Sequence, residues 1–468
     1  MMKNKSADSA KKTVIKMAPA VLTALLATAV GFLSLYTSPV PMIQDFGKML
    51  TIGMAVSFVV GLFILIPILF TRDHFFTKPA KEKEKRKPEH SKMENVFGVL
   101  TNIIVKLRWL ILLVAIVTAA AGIWGDMQTG VETDVETFMP QDTQELEDIH
   151  RLRDILGTTD QVSVMYSADN VLDEEALEWT EEMTGSLKNE FPSVVVDTNS
   201  LTVLLKQAND GDMPDQEETA DILADLPEEQ LKLFVNEERD SAVLTVGIKH
   251  LEAEELQNFI SGMEEYVSES QPEGIDATVT GKSVLDVEMV TALTTGRYKM
   301  TLLGMGLVFM VLLMIYRHPV KAFIPLLPIM FIVGWSGGIM YLYDIHYTPL
   351  TATLGALIIG IGTEFTILIM ERFYEERRKG EPRREAIMTA NKKIGKAIFA
   401  SAFTTIGGFS ALLVSDFVIL SNFGMMTLVN ISFALLSTLI VLPAILMVLD
   451  RFVRTKVTDE SGRETVAG

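Results

Sequence analysis

The chain has 468 residues, no cysteine, a formal charge of −19 and 49% hydrophobic residues, with a positive mean hydropathy. That length leaves room for more than one domain, and a chain both apolar and acidic must keep the two kinds of residue in different places. The absence of cysteine excludes a disulfide framework, a thiolate metal site and a cysteine nucleophile.

Apolar runs long enough to cross a bilayer, about 20 residues each, occur near 17–36, 46–71, 109–125, 299–316, 320–343, 347–370, 396–414 and 422–449. Lys11, Lys12 and Lys16 precede the first run as they would a secretory signal. No small-x-small cleavage site follows before the second run, so the first reads as a retained helix. Basic residues crowd 1–16, the stretch from Lys78 to Lys92, the segment after the sixth run (Arg372, Arg377, Arg378, Lys379, Arg383, Arg384) and the end of the last (Arg451, Arg454, Lys456). Alternating spans put all of these on one side, so both termini are expected in the cytoplasm of a multi-pass protein of the cell membrane. The stretch KPAKEKEKRKPEHSK mixes charge signs and holds two prolines, which suits a solvated linker better than a lipid-binding patch.

Between the third and fourth runs lies one polar segment, 127–297, with about 40 acidic side chains against about 8 basic ones. It is the expected extracytoplasmic domain, and its sign argues against nucleic acid, which needs a basic face. Val162 and Val164 alternate with polar neighbours as in a strand; Leu172, Ala176, Trp179, Met183 and Leu187 recur at helical spacing; Val194 to Val196 begin another strand. An acidic insertion with helical signals follows at 216–236, then a strand at 242–248, a helix carrying Leu256, Phe259, Ile260, Met263 and Val267 on one face, and a strand at 275–280. Two βαβ units in this order predict a ferredoxin-like sheet. The run from Asp210 to Asp215 resembles a calcium loop only loosely: Pro214 stands where a ligand belongs and no glycine follows at the sixth position. No metal or other cofactor is expected, and no nucleotide loop, metal cluster or nucleophile–base pair points to an enzyme.

An internal repeat organises the membrane part. Shifting the start of the chain by 377 positions sets Thr28 on Thr405, Gly31 and Phe32 on Gly408 and Phe409, and Phe46 and Gly47 on Phe423 and Gly424; a one-residue adjustment sets Pro67 on Pro443. The first two spans thus correspond to the last two. Taken literally, the chain begins near the end of its own first repeat.

The sequence GIGTEF (Gly360 to Phe365) inside a span, ERFYEERRKGEPRREAI after it, ASAFTTIGGFSALLVSD with FG downstream, and VTGKSVLDVEMV (Val279 to Val290) leading into a span together resemble the RND permease superfamily. The hydrophobe/amphiphile efflux branch, which includes the MmpL-type lipid exporters, is the nearest. Members of that superfamily carry two repeats of six spans, each with a porter domain after its first span. By that resemblance this chain holds spans five to twelve and the second porter domain.

Glu364 is the one carboxylate near the middle of a strongly apolar span, and leaving it in hydrocarbon costs about 2.5 to 3.5 kcal/mol even on the lenient insertion scale. Dehydration favours the neutral acid and a hydroxyl or cationic partner favours the carboxylate, so a group poised between them can carry protons. The superfamily usually has Asp followed by Tyr here, in the relay that couples ion flow to export. Glu364 and Phe365 keep the acid and lose the phenol. The alternative role is an acid held neutral by one interhelical hydrogen bond. Thr404 and Thr405 on the next span are candidates to donate to Glu364 or to bond their own helix carbonyls, and Thr363 is a weaker candidate for the same relay. Gly407 and Gly408 suggest close packing there, and Gly337, Gly338, Gly355, Gly360 and Gly362 suggest it elsewhere. Asp344 and Asp416 sit at span ends, where water reaches them.

The expected fold is an integral membrane α-helical bundle of eight transmembrane helices with one extracytoplasmic α+β ferredoxin-like porter domain. Residues 1–71 are the last two transmembrane helices of a truncated first repeat, 72–108 a basic cytoplasmic linker, 109–126 a transmembrane helix, 127–297 the acidic porter domain, 298–450 a five-helix transmembrane bundle and 451–468 a cytoplasmic tail. The resemblance implies ion-gradient-driven export of a hydrophobic or amphiphilic compound, lipids included. Expected partners are membrane lipid, that substrate, and a companion chain supplying the missing spans or a further copy of this one. The other readings are a lipid-sensing protein like the sterol-sensing relatives, an accessory to secretion, and an inactive fragment.

Overall fold

The computed structural model describes residues 19–65, 67–68, 71, 92–132, 135–156, 160–453, 455–458 and 464–467. The chain divides into two compact units, one formed by Met1–Val131 with Ala292–Gly468 and the other by Glu132–Thr291. In chain order, α1 (Pro19–Thr37) ends in a 3-10 turn and α2 (Pro41–Val60) starts on a proline, whose missing N–H costs nothing at a helix start. Then come α3 (Lys92–Lys106) and α4 (Arg108–Asp126).

The polar unit follows. It contains α5 (Gln144–Leu156), β1 (Asp160–Ser167), α6 (Glu174–Glu190), β2 (Val195–Asn199), α7 (Leu201–Ala208), α8 (Gln216–Asp225), β3 (Ser241–Ile248), α9 (Ala253–Ser270), β4 (Asp276–Thr280) and α10 (Lys282–Thr291). The strand order is β2-β3-β1-β4. β1 lies antiparallel to both β3 and β4, with Val164 opposite Leu244 on one side and Val279 on the other. This is the ferredoxin-like order. Alternation decides which face is covered: Val162, Val164 and Tyr166 are buried while Gln161 and Met165 are exposed. Onto the covered face pack Trp179, Met183 and Leu187 of α6 and Phe259, Ile260, Met263 and Val267 of α9. The Trp179 indole donates to the Ser270 carbonyl at 3.0 Å. Leu172 lies before α6 rather than in it, because Asp173 at the helix start is extended. The acidic insertion is broken into α8 and a single turn, Glu228–Leu231, by Pro227 between them.

The membrane unit resumes with α11 (Arg297–Tyr316), α12 (Leu326–Leu342), α13 (Leu354–Arg378), α14 (Arg383–Phe409), α15 (Val418–Leu436) and α16 (Leu442–Leu449), followed by a small β5–β6 ladder (Thr455–Thr458, Glu464–Ala467). Eight helices are long and apolar enough to cross a membrane among the described residues. α13 and α14 run through the charged stretch on both sides of Gly380, well past the apolar runs that marked them, because ion pairs there replace hydrocarbon as the stabilising environment. The stretch 72–108 is not all linker. Its second half is α3, an amphipathic helix packed on α14, with Ile104 and Val105 buried and Asn391 donating to Thr101 at 3.0 Å; residues 72–91 lie outside the described residues.

α4 and α12 pack along each other at backbone contact. A Cβ on Gly122 would fall 2.0 Å from the Gly334 carbonyl oxygen, and one on Gly338 would fall 2.9 Å from Gly122. Small residues at such spacing are how membrane helices gain packing energy when hydrocarbon competes on equal terms.

Positions 377 apart make the same local contacts. Ser38 N–H and Ser415 N–H donate to Leu35 and Leu412, and the Ser38 and Ser415 hydroxyls accept from Val40 and Phe417. A Cβ on Gly47 would press Leu35 at 2.7 Å, and one on Gly424 would press Leu412 at 2.6 Å. Phe46 and Phe423 meet each other edge to face, ring centres 5.8 Å apart.

Candidate functional site

The centre of α13 packs on α1. At Gly360 a Cβ would lie 2.8 Å from the Phe32 ring and 3.0 Å from the Thr28 methyl, so only glycine allows the approach. The Thr28 hydroxyl donates to the Gly360 carbonyl at 3.0 Å and lies 3.5 Å from the Thr363 hydroxyl. Thr363, fully buried, donates to the carbonyls of Ile359 at 2.7 Å and Gly360 at 2.9 Å. Glu364 is one helical step round from it. Thr363, Phe365 and Thr366 are buried, whereas Glu364 is exposed on the surface of the bundle, and no hydrogen bond or ion pair to it is found among the described residues.

Among the described residues, then, no hydrogen bond joins Glu364 to Thr363, Thr404 or Thr405. Thr404 and Thr405 donate to the carbonyls of Ala400 at 2.9 Å and Ser401 at 3.0 Å on their own helix, and neither hydrogen-bonds Glu364. Thr363 faces the α1 contact instead. Gly407 and Gly408 do not pack closely: nothing lies within 4 Å of a Cβ at either, because that face of α14 is uncovered. Gly337, Gly355, Gly360 and Gly362 do face close neighbours. Asp344 and Asp416 are exposed. Thr28 was missed as a site residue, although its match to Thr405 in the repeat was the available signal.

A second cluster left no mark in the sequence. Asp126 closes α4 and Arg297 opens α11. One Arg297 nitrogen lies 3.0 and 2.9 Å from the two Asp126 carboxylate oxygens, and the other donates to the Asp126 carbonyl at 3.1 Å. The hydroxyls of Tyr347 and Tyr298 donate to the same carboxylate at 2.5 and 2.6 Å. The guanidinium lies 3.7 Å from the Tyr347 ring centre and 4.3 Å from that of Tyr298. Both charged side chains are buried, at 9% and 7% exposure, so every hydrogen bond there is made in a low-dielectric setting.

At the other end of the bundle Asp450 accepts from Arg383 at 2.7 Å and pairs with Arg377 at 3.2 Å, and Lys321 pairs with Glu371 at 2.8 Å. Arg372 pairs with Glu375 and Glu376. These arginines carried the topology signal in the sequence, and two of them, Arg377 and Arg383, join α13, α14 and the residue after α16 through Asp450. Among the described residues no group of three or more His, Cys, Asp or Glu is placed to hold a metal ion.

Eight apolar helices with a polar ferredoxin-like domain inserted after the third, and an acid in the middle of a central helix, define an RND-type membrane protein. The MMPL family signature matches residues 2–119 and 186–465, and the chain belongs to that family. It is similar to the membrane protein MJ1562 of Methanocaldococcus jannaschii, 29% identical over 359 residues, covering 74% of this chain and 91% of that one. It is also similar to the apo-petrobactin exporter of Bacillus anthracis, 26% identical over 187 residues, 38% of this chain and 25% of that one. Among solved structures it resembles the hedgehog release protein Disp of the water bear Hypsibius dujardini, with a TM-score of 0.65 at 13% identity over 92% of this chain and 58% of that one. SecDF follows, with a TM-score of 0.50 at 14% identity over 95% of this chain and 50% of that one. At those identities the two structures establish the fold alone.

Proposed function

We propose that the chain exports hydrophobic or amphiphilic compounds, lipids among them, across the cell membrane, and that Glu364 couples the export to a proton or sodium gradient. The observation that carries this reading is Glu364 itself. A carboxylate in mid-span must meet water or a partner, yet no group on the described part of this chain pairs with it. Such a group is free to gain and lose an ion as its surroundings alternate, which a fixed structural hydrogen bond would prevent. The exporter named among the relatives supports the direction of transport. Lys and Arg in the segments between spans favour both termini in the cytoplasm and residues 127–297 outside. An impermeant thiol reagent on intact cells would then label a cysteine at Asp212 and spare one at Lys379; equal labelling overturns that orientation.

The exposed face of α14 supports a companion helix over Glu364. Positions 377 apart make the same local contacts, yet Thr28 and Gly31 are packed on α13, whereas Thr405 bonds only its own helix and Gly408 faces open space. In the first span 44% of the apolar window is buried, against 11% in Arg383–Val414. A helix related to α13 as α1 is to α14 would fill this face, supplied by a companion chain or by a second copy.

Everted vesicles from the native host, with and without this chain, test the reading. Gradient-dependent accumulation of the amphiphiles rhodamine 6G and N-phenyl-1-naphthylamine is expected only with the chain, and an ionophore should abolish it. Equal accumulation in both preparations contradicts export.

A further inference from the structure

The polar unit contains a cavity of about 760 Å³ between α6 and the segment from Met213 through α8, a size that suits a small organic ligand. Its inner wall is apolar, with Leu177 of α6 facing Met213 and Leu223. Its rim is acidic. Glu174, Glu178 and Glu182 follow one another at four-residue spacing along the same edge of α6. None of the three has an ion-pair partner among the described residues. Like charges at this spacing weaken a helix, and no partner among the described residues offsets the row on α6. In all, six carboxylates and one guanidinium, that of Arg239, line the cavity, and one of the carboxylates, Glu181, is already paired with Lys206.

The charge is spread and does not converge. The carboxylate row extends about 12 Å along the helix, and no trio of acids among the described residues is placed to hold a metal ion. A bare divalent cation needs oxygens gathered at one point. An apolar chain carrying an ammonium or guanidinium head needs an apolar wall beside a broad negative rim, and the cavity has both.

We propose that this cavity binds an amphiphilic organic cation, its apolar body against Leu177, Met213 and Leu223 and its charged head against Glu178 and Glu182. The assignment names a substrate class for the export reading and takes its physiological meaning from that reading, although binding itself does not depend on transport.

Because the chain has no native cysteine, a single cysteine in place of Ala224, which lines the cavity and is exposed, reports its occupancy. The full chain in zwitterionic nanodiscs would be labelled with a maleimide in the presence of hexyltrimethylammonium or of hexyl sulfate. The cation is expected to slow labelling at Ala224→Cys and leave a control cysteine at Gly185, on α6 with the carboxylate row but outside the cavity, unaffected. Hexyl sulfate is expected to have no effect at either. Adding Glu178→Gln and Glu182→Gln should raise the half-protecting concentration about tenfold, the factor for about 1.4 kcal/mol of lost attraction. Protection by both ions alike, protection at Gly185→Cys as well, or no change in the double Gln variant would each overturn the proposal. If vesicles transport rhodamine 6G and the cavity shows no protection, the site fails and export stands. Protection without transport gives the reverse.

Discussion

Among single residues, Asp126 and Arg297 are the pair whose loss the structure makes most costly. The carboxylate holds a guanidinium and two phenols in a buried pocket. Removing one partner of such a pair leaves an uncompensated charge, at a cost of about 3–5 kcal/mol. Asp126→Ala should therefore reduce yield and lower the unfolding temperature, and the double variant Asp126→Leu with Arg297→Met should recover much of the loss, since replacing both partners removes the stranded charge. A double variant no more stable than Asp126→Ala would contradict this account. Nothing in the sequence could have paired residues 171 positions apart. Asp126 looked like the end of one apolar run and Arg297 like the flank of another. Glu364, by contrast, was visible as an acid inside an apolar run. What the sequence did not reveal was its exposure, nor that Thr404 and Thr405 are bonded to their own helix.

At the level of elements, legibility followed periodicity. The strands around Val164, Leu244 and Val279 and the helices through Met183 and Met263 were readable because one face of each is apolar and the other polar. The full lengths of α13 and α14 were not, since hydropathy stops where ion pairs take over. α3 was hidden by its basic approach. Its pairing with α14 depends on Asn391 and Thr101, residues with no signature as contact residues in isolation. The α4–α12 contact yields a prediction of its own. Valine at Gly122 would thrust methyl groups into the Gly334 backbone, and overpacking of this kind typically costs about 1–3 kcal/mol and more where backbone must move. Gly122→Val should lower the unfolding temperature in detergent, whereas Gly53→Val should leave it unchanged, because nothing lies within 4 Å of a Cβ at Gly53. Equal effects would place the α4–α12 contact outside the stability of the bundle.

Over the whole molecule, two segments with the same local contacts sit in unequal surroundings. α1 is covered by α13, the face of α14 at Gly407 and Gly408 is open, and Glu364 is exposed on the bundle. Gly47 and Gly424 match in the sequence, but nothing there shows which of the two matching segments is packed, because burial depends on neighbours that a local match does not encode. Glu364→Gln separates the two roles open to this carboxyl: it keeps the size and hydrogen-bonding capacity of the side chain and cannot change charge. Glu364→Asp keeps the acid and shortens its reach by one methylene. The most direct measurement is gradient-dependent accumulation of amphiphile in everted vesicles from the native host carrying wild type, Glu364→Gln or Glu364→Asp, each normalised to the amount of folded protein. Coupling through Glu364 predicts wild-type protein levels for all three, no gradient-dependent transport for Gln and partial transport for Asp. Wild-type transport by the Gln variant would remove Glu364 from the mechanism.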